Sequence, residues 1–164
     1  MDTGGLTCSG SSACYRCLLR YGNQHYHGLL DWPLGLQYLR ALVDPNFRCG
    51  LDGDFSAPGL QGWPDLAKRF AQEMVDRFRG EGPRPLAGGL LHAFRLEKSG
   101  GKKTRWVVVA HPLWDWNPHE ASPDDTLLQK AEAELSNEGA FDCWDTFNLS
   151  RRRVQVKEWI QKSG

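Results

Sequence analysis

The residues that could bind a metal are concentrated near the start of the chain. Cys14 and Cys17 form a Cys-x-x-Cys pair, and Cys8 stands six residues before it. This spacing makes a tight turn that lets two thiolates face one ion, and thiolates and imidazoles are the usual ligands of tetrahedral structural Zn²⁺. A fourth ligand is needed, and the spacing leaves four candidates open: His25, His27, Cys49 and Cys143.

Two other roles are known for cysteines in such a pattern. A Cys-x-x-Cys pair can carry out thiol–disulfide chemistry, and a buried free cysteine behaves as a small apolar residue. A redox pair usually follows a strand and opens a helix, and nothing before Cys14 predicts a strand. The third cysteine and the neighbouring histidines therefore favour zinc.

The same segment resembles a known protein family. The pattern Cys14-Tyr15-x-Cys17-Leu18, continued by Tyr21-x-Asn23-Gln24-x-x-His27-x-x-Leu30-Asp31, is similar to the zinc-binding C-terminal module of DEAD/DEAH-box helicases and helicase-associated proteins. These include the Mrf-type DNA-repair helicases and the paired proteins of the DISARM anti-phage system. The similarity extends over residues 6–44.

The resemblance implies one Zn²⁺ held by four residues, and it selects His27 rather than His25 as the fourth ligand. The implied ligands are Cys8, Cys14, Cys17 and His27. The implied partners are DNA and a helicase motor domain or subunit. This chain departs from the family at Trp32, where an Arg commonly follows the Asp, so an ion pair or phosphate contact of that Arg is missing.

Polar residues around the cysteine pair have two interpretations each. Arg16 and Arg20, with Tyr15 and Tyr21, could form a small basic-aromatic surface for phosphates and bases, or they are solvated side chains. The Asn23-Gln24 pair could hydrogen-bond the metal loop or face a partner.

Composition sets limits on the class of protein. The chain has 164 residues, is 40% apolar and 24% charged, and has a formal net charge of zero. Nucleic acid contact therefore requires a local patch of positive charge. No apolar run approaches the roughly 18 residues of a membrane span, and no signal peptide precedes the cysteines. Five cysteines also suit no simple disulfide framework, so we expect a cytoplasmic protein with reduced thiols and no membrane contact.

Beyond the cysteine segment, the apolar periodicity predicts an α+β fold. A small N-terminal zinc-binding module with its following helix occupies residues 1–44, residues 45–63 form a linker or loop, and residues 64–164 form a mixed α/β domain. Its predicted order is helix, strand, strand, helix, strand. The predicted elements are a helix over 31–44, a helix over 64–79, strands over 90–97 and 105–113, a helix after the capping box at 122–125, and a strand or short helix around Val154 and Val156.

The second domain has few signs of catalysis. A metal or acid–base site could be imagined from five residues: His111, Asp115, His119, Asp124 and Asp125. A strand end before a proline explains His111 without chemistry, and a helix N-terminus, which favours negative charge, explains Asp124 and Asp125. The helix–strand–strand–helix order also resembles degenerate restriction-endonuclease folds. Such nucleases need a Glu-x-Lys motif, whereas Glu97-Lys98 has the wrong spacing. No nucleotide-binding or metalloprotease motif occurs, so ATP hydrolysis is not expected from this chain alone.

The densest positive charge is the run Arg151-Arg152-Arg153. This run could clamp phosphates together with Arg16 and Arg20, or it could be a solvated edge that resists aggregation. The leading hypothesis is a non-catalytic, zinc-stabilised accessory domain of a helicase or helicase partner in DNA repair or anti-phage defence. The alternative is a small nucleic-acid-processing enzyme with a degenerate nuclease-like domain.

Overall fold

The computed structural model describes Leu19 and residues 21–98, 101–116 and 124–162. The chain divides into two compact units, Met1–Phe47 (unit 1) and Arg48–Gly164 (unit 2). Helices combine with a four-stranded mixed sheet, which confirms the α+β class. Among the described residues, no helix has both the length and the apolar character needed to cross a membrane.

Unit 1 contains two helical segments in its described part. Residues Tyr21–Leu29 form a 3-10 helix that is kinked at Asn23. Helix α1, Trp32–Val43, follows, and the Asp31 side chain caps it by accepting a hydrogen bond from the Leu34 amide at 3.1 Å. This side-chain cap satisfies one of the backbone N–H groups that the first helical turn leaves open. The helix predicted over 31–44 is confirmed.

The apolar residues of α1 lie largely in solvent. Trp32, Leu39, Leu42 and Val43 are exposed and Leu36 is half-buried, whereas the polar Gln37 is buried. We call these five apolar residues the α1 stripe, because their spacing places them on one side of the helix. The apolar periodicity that predicted this helix is therefore present, and four of these five side chains are exposed.

Unit 2 is built on one sheet in which strand order follows chain order. Strand β1 pairs with β2 and β2 with β3 in antiparallel fashion, and β4 pairs with β3 in parallel. The elements are α2 (Trp63–Phe78), β1 (Gly80–Leu86), β2 (Leu91–Leu96), β3 (Val107–Ala110), α3 (Leu127–Leu135), β4 (Asp142–Asp145), α4 (Thr146–Arg151) and α5 (Arg153–Lys162), with short 3-10 turns at Ala87–Gly89 and Ser136–Glu138.

Helices cover both faces of this sheet. On one face, Arg84 of β1 donates to the backbone carbonyl of Glu134 in α3 at 3.4 Å. Arg84 pairs with Ala93 of β2, so His92, the residue before Ala93, points to the other face of the sheet. There burial and the nearby Lys68 of α2 lower the pKa of His92, and Asp65 of α2 acts in the opposite direction. Strand β3 lies inside the sheet and is fully buried, as its run of valines predicts.

The segment predicted as a linker or loop over residues 45–63 differs in part from a simple linker. No helix or strand is assigned between Val43 and Trp63, yet Leu51, Phe55 and Leu60 of this segment are buried. Gly50 has a φ of 80°, and a Cβ there would overlap the Phe55 ring. The segment therefore contributes side chains to the core of unit 2.

The structure contains a strand that was not predicted, and it changes two of the predicted element assignments. Strand β1 occupies a Gly- and Pro-rich stretch that predicted no strand; it is an edge strand, where prolines are tolerated. The residues around Val154 belong to helix α5, which decides between the two predicted alternatives. Helix α3 is capped by Thr126, whose hydroxyl accepts from the Gln129 amide at 3.3 Å, and not by the capping box predicted at 122–125, of which Ser122 and Pro123 lie outside the described residues.

Candidate functional sites

The described part of the predicted zinc site is His27. It stands four residues after Asn23 in the Tyr21–Leu29 helix, and the His27 Nε2 lies 2.8 Å from the Asn23 Oδ1. Because an amide oxygen only accepts, Nε2 is the donor of this hydrogen bond. Metal-bound histidines typically donate their other ring N–H to such an oxygen, which fixes the ring. His27 therefore has the geometry of an oriented ligand, whereas His25 is exposed.

The three cysteine ligands lie outside the described residues, as do Arg16 and Arg20. Within the described ranges, no group of three or more His, Cys, Asp or Glu side chains could hold a metal ion. Of the four predicted ligands, only His27 belongs to the part of the chain that the structure describes.

The two other cysteines belong to unit 2. Cys49 is buried, and burial together with the Asp52 carboxylate raises the pKa of its thiol. Cys143 lies in β4, where burial and Asp142 hold the pKa of its thiol well above the usual value. Raised pKa values favour the protonated form of both thiols.

The three consecutive arginines do not form one surface. The Arg151 guanidinium lies 3.8 Å from the centroid of the Phe147 ring, and Arg153 forms a 2.6 Å salt bridge with Glu73. Arg152 ends α4 and is exposed. The run crosses from one helix to the next, so its side chains diverge, and Arg152 is the member most open to a phosphate.

His111 and Asp115, which were considered for catalysis, lie in different environments. His111 is buried among the rings of Trp63 and Trp114, and its Nδ1 accepts from the Leu113 amide at 3.2 Å. Burial lowers the pKa of His111 to about 4, against a weaker opposing effect of Asp145. Asp115 is exposed. His111 therefore acts as a neutral core residue of an aromatic cluster.

The pattern that a restriction-type nuclease needs is missing from the central strands. Strands β2 and β3 read Leu-His-Ala-Phe-Arg-Leu and Val-Val-Val-Ala, without any carboxylate. Glu97 and Lys98 follow β2, and the backbone of Glu97 pairs with that of Lys103 in an isolated antiparallel β-bridge. The sheet therefore offers no paired acids at these positions.

Unit 2 contains a polar cluster around Trp106 that the sequence did not predict. Trp106 donates from Nε1 to Glu138 Oε2 at 2.6 Å, and the guanidinium groups of Arg84 and Arg95 lie 5.3 and 4.7 Å from the Trp106 rings. Arg84 also pairs with Glu138. The Trp106 hydrogen bond, with that pair, lowers the pKa of Glu138. Arg95 pairs with Glu81, so each guanidinium has a carboxylate partner, and this cluster fastens the turn after α3 to the sheet.

Comparisons of the chain with protein-family models, with curated proteins and with solved structures found no match.

Proposed function

We propose that the chain is a non-catalytic, zinc-binding accessory domain of a DNA helicase or of a helicase partner. It binds DNA, docks another subunit, or does both, in DNA repair or anti-phage defence. The observation that carries the proposal is the cysteine cluster followed by His27, whose Nε2 is held by Asn23 at 2.8 Å.

Zinc has a structural role in this proposal. Cys8, Cys14, Cys17 and His27 would hold one ion and link the start of the chain to the Tyr21–Leu29 helix. Four protein ligands close the coordination sphere, which is typical of structural rather than catalytic zinc. Such sites supply roughly 10–16 kcal/mol of binding free energy, enough to decide whether a small module folds.

Elemental analysis of the purified protein tests the metal. We expect about one Zn²⁺ per chain in the wild-type protein, and its loss in Cys14→Ser and in His27→Ala. His25→Ala is the matched control, because this exposed histidine lies in the same helix and should leave the metal in place. A wild-type protein without zinc, or equal loss in the two histidine variants, would refute the proposed site.

Salt-dependent DNA binding tests the nucleic-acid contact. Each neutralised phosphate contributes roughly 0.9 to the slope of log affinity against log salt on duplex DNA. We expect Arg152→Ala to reduce this slope by about that amount, with a similar loss for every sequence. An unchanged slope and affinity would remove Arg152 from the DNA contact, and a wild-type protein without measurable DNA binding would leave only subunit docking.

One observation favours the alternative of a nucleic-acid-processing enzyme. Antiparallel strands lie between helices α2 and α3, which supports the resemblance to a degenerate nuclease-like domain, although three strands lie there where two were expected. A nuclease assay with Mg²⁺ or Mn²⁺, repeated on His111→Ala and Asp115→Ala, tests it. Cleavage that both substitutions abolish, in variants whose urea unfolding shows an intact fold, would support the enzyme and contradict the accessory domain.

A further inference from the structure

The charges of unit 2 are segregated along the direction of its strands. Positive side chains predominate in the turn between β2 and β3 and in the residues beside it, and we call this group the basic end. Its members are Arg79, Arg95, Lys98, Lys102, Lys103 and Arg105. Three carboxylates accompany them: Glu81, Glu97 and Asp142. In a chain whose formal net charge is zero, this end is therefore distinctly positive.

Backbone hydrogen bonds bring the members of the basic end together. The Glu97 amide donates to the Arg79 carbonyl at 3.1 Å, which places the residue after α2 beside the turn. Across the turn, the Lys98 amide donates to the Lys102 carbonyl at 2.6 Å. The turn and the end of α2 therefore present their side chains at the same end of the sheet.

Within the part of the chain that the structure describes, the carboxylates neutralise only part of this charge. Glu81 pairs with both Arg95 and Lys103, so one carboxylate serves two cations. Asp142, near Arg105, is buried. The exposed members of the basic end are Arg79, Lys102, Lys103 and Arg105. The excess positive charge therefore lies on side chains that solvent reaches.

The other end of the sheet carries the opposite charge. A Cβ on Gly53 would lie 3.6 Å from the side chain of Leu90, the residue before β2, and 3.7 Å from that of Leu127 in α3. The loop around Gly53 therefore lies at the start of β2, and the six residues of β2 separate it from the basic end by roughly 20 Å. Four exposed carboxylates flank this loop and the start of α3: Asp52, Asp54, Asp124 and Asp125.

The chemistry of the basic end selects the phosphates of a nucleic acid duplex. Residues 97–105 contain no aromatic or large apolar side chain, so they offer neither a platform for unpaired bases nor an apolar wedge for a membrane. Lys and Arg side chains without such neighbours contact the sugar–phosphate backbone. A helix dipole favours a cation such as Arg79 at the end of α2, but the cations of the turn lie outside any helix. The acidic end repels phosphates, so a duplex meets unit 2 in one orientation.

We propose that the basic end binds the backbone of duplex DNA, with Lys102, Lys103 and Arg105 at the centre of the contact. This inference rests on the proposed function for the existence of a DNA contact, and it locates that contact on unit 2. The location follows from the distribution of charge along the sheet and not from the similarity of the cysteine segment to other proteins.

Fluorescence anisotropy with two labelled duplexes of unrelated sequence, over a range of salt concentrations, tests the contact. The test variant combines Lys102→Ala, Lys103→Ala and Arg105→Ala. The control variant combines three substitutions of exposed cations elsewhere on unit 2: Arg48→Ala, Lys68→Ala and Lys130→Ala. Both variants lose the same net charge. We expect the test variant to lower the slope of log affinity against log salt by about 2–3 and the affinity at least about tenfold for both duplexes, and the control to change the affinity less than about twofold.

Equal effects of the two variants would overturn the inference, because binding would then depend on net charge alone. Tighter binding of a single strand of the same length, or of vesicles of phosphatidylserine and phosphatidylcholine, would also overturn it. Urea unfolding checks that both variants keep the wild-type fold. Lys102→Glu compared with Lys130→Glu repeats the comparison with one charge reversal each, so the outcome does not depend on the triple variants.

The same assay separates this inference from the proposed function. A wild-type protein that binds neither duplex refutes the DNA contact of the proposed function together with this inference. Duplex binding that Arg152→Ala weakens, and that the test variant leaves unchanged, refutes only the assignment to the basic end.

Discussion

Acidification should destabilise unit 2 through one buried histidine. His111 is 4% exposed and lies within the aromatic cluster that it forms with Trp63 and Trp114. Burial penalises its charged form and lowers its pKa to about 4, although the Asp145 carboxylate acts in the opposite direction. In the unfolded chain the same ring titrates near its ordinary pKa of about 6.5.

The sign and size of the effect follow from these two pKa values. Between pH 6.5 and pH 4, the unfolded chain binds a proton at His111 that the folded protein does not bind. The free energy of unfolding therefore falls as the pH falls through this window, and the stability is complete above pH 6.5. The His111 contribution is a loss of about 2 kcal/mol between pH 7 and pH 5, and about 3 kcal/mol by pH 4.

Urea unfolding at pH 7 and pH 5 measures this loss. Tryptophan fluorescence reports mainly on unit 2, which contains every tryptophan except Trp32. His111→Asn removes the titrating ring and keeps an acceptor for the Leu113 amide. We expect the variant to lose about 2 kcal/mol less than the wild type between the two pH values. The difference between proteins cancels the titration of all other groups.

Two results would refute this reasoning. Equal pH dependence of the wild type and His111→Asn would show that His111 does not titrate differently on folding. An NMR titration of the folded protein with a midpoint near 6.5 for the His111 ring would show that burial does not suppress its charge. His25→Asn, at an exposed position, is the control and should follow the wild type.

Other substitutions test the packing of unit 2 by urea unfolding. Thr126→Ala should cost about 1 kcal/mol because α3 loses its cap, while Asp124→Ala, outside the helix, should change stability by less than about 0.5 kcal/mol; equal effects would contradict the assigned cap. Phe94→Ala should cost about 3–5 kcal/mol because the side chain is fully buried between the layers, and a smaller cost would show that the core collapses around the gap. Arg153→Ala should cost at most about 1 kcal/mol of stability, because it removes the partly exposed ion pair with Glu73. Arg152→Ala, at an exposed position, should cost less, and the reverse order of these two effects would contradict the placement of the two side chains.

The helices could be predicted because their signals are local. The four-residue recurrence of apolar residues in α2 and the periodicity of α1 and α3 depend only on neighbouring positions. The bounds of α1 and α2 agree with the predicted ranges to within one residue. The valine run likewise predicted β3 as a buried central strand, and the sheet places it there.

The elements that sequence reasoning missed depend on distant partners. Strand β1 contains Pro83 and Pro85, and its extended form is defined by pairing with β2 rather than by its own residues. Strand β4 has four residues and reads as a strand only beside β3. The same limit applies to the sites, since only the fold reveals that Arg151 and Arg153 contact Phe147 and Glu73 while Arg152 faces solvent.

The parallel pairing of β3 with β4 also sets an order of events during synthesis. The three antiparallel strands can pair as soon as Ala110 has left the ribosome, because hairpin contacts are close in sequence. Strand β4 begins at Asp142, so at about 5–20 residues per second the outer edge of β3 waits roughly 2–6 s for its partner. During that interval a run of valines presents unpaired backbone groups, the kind of edge from which chains associate. The nascent protein therefore passes through a short stage in which β3, an interior strand of the finished sheet, has one edge open to other chains.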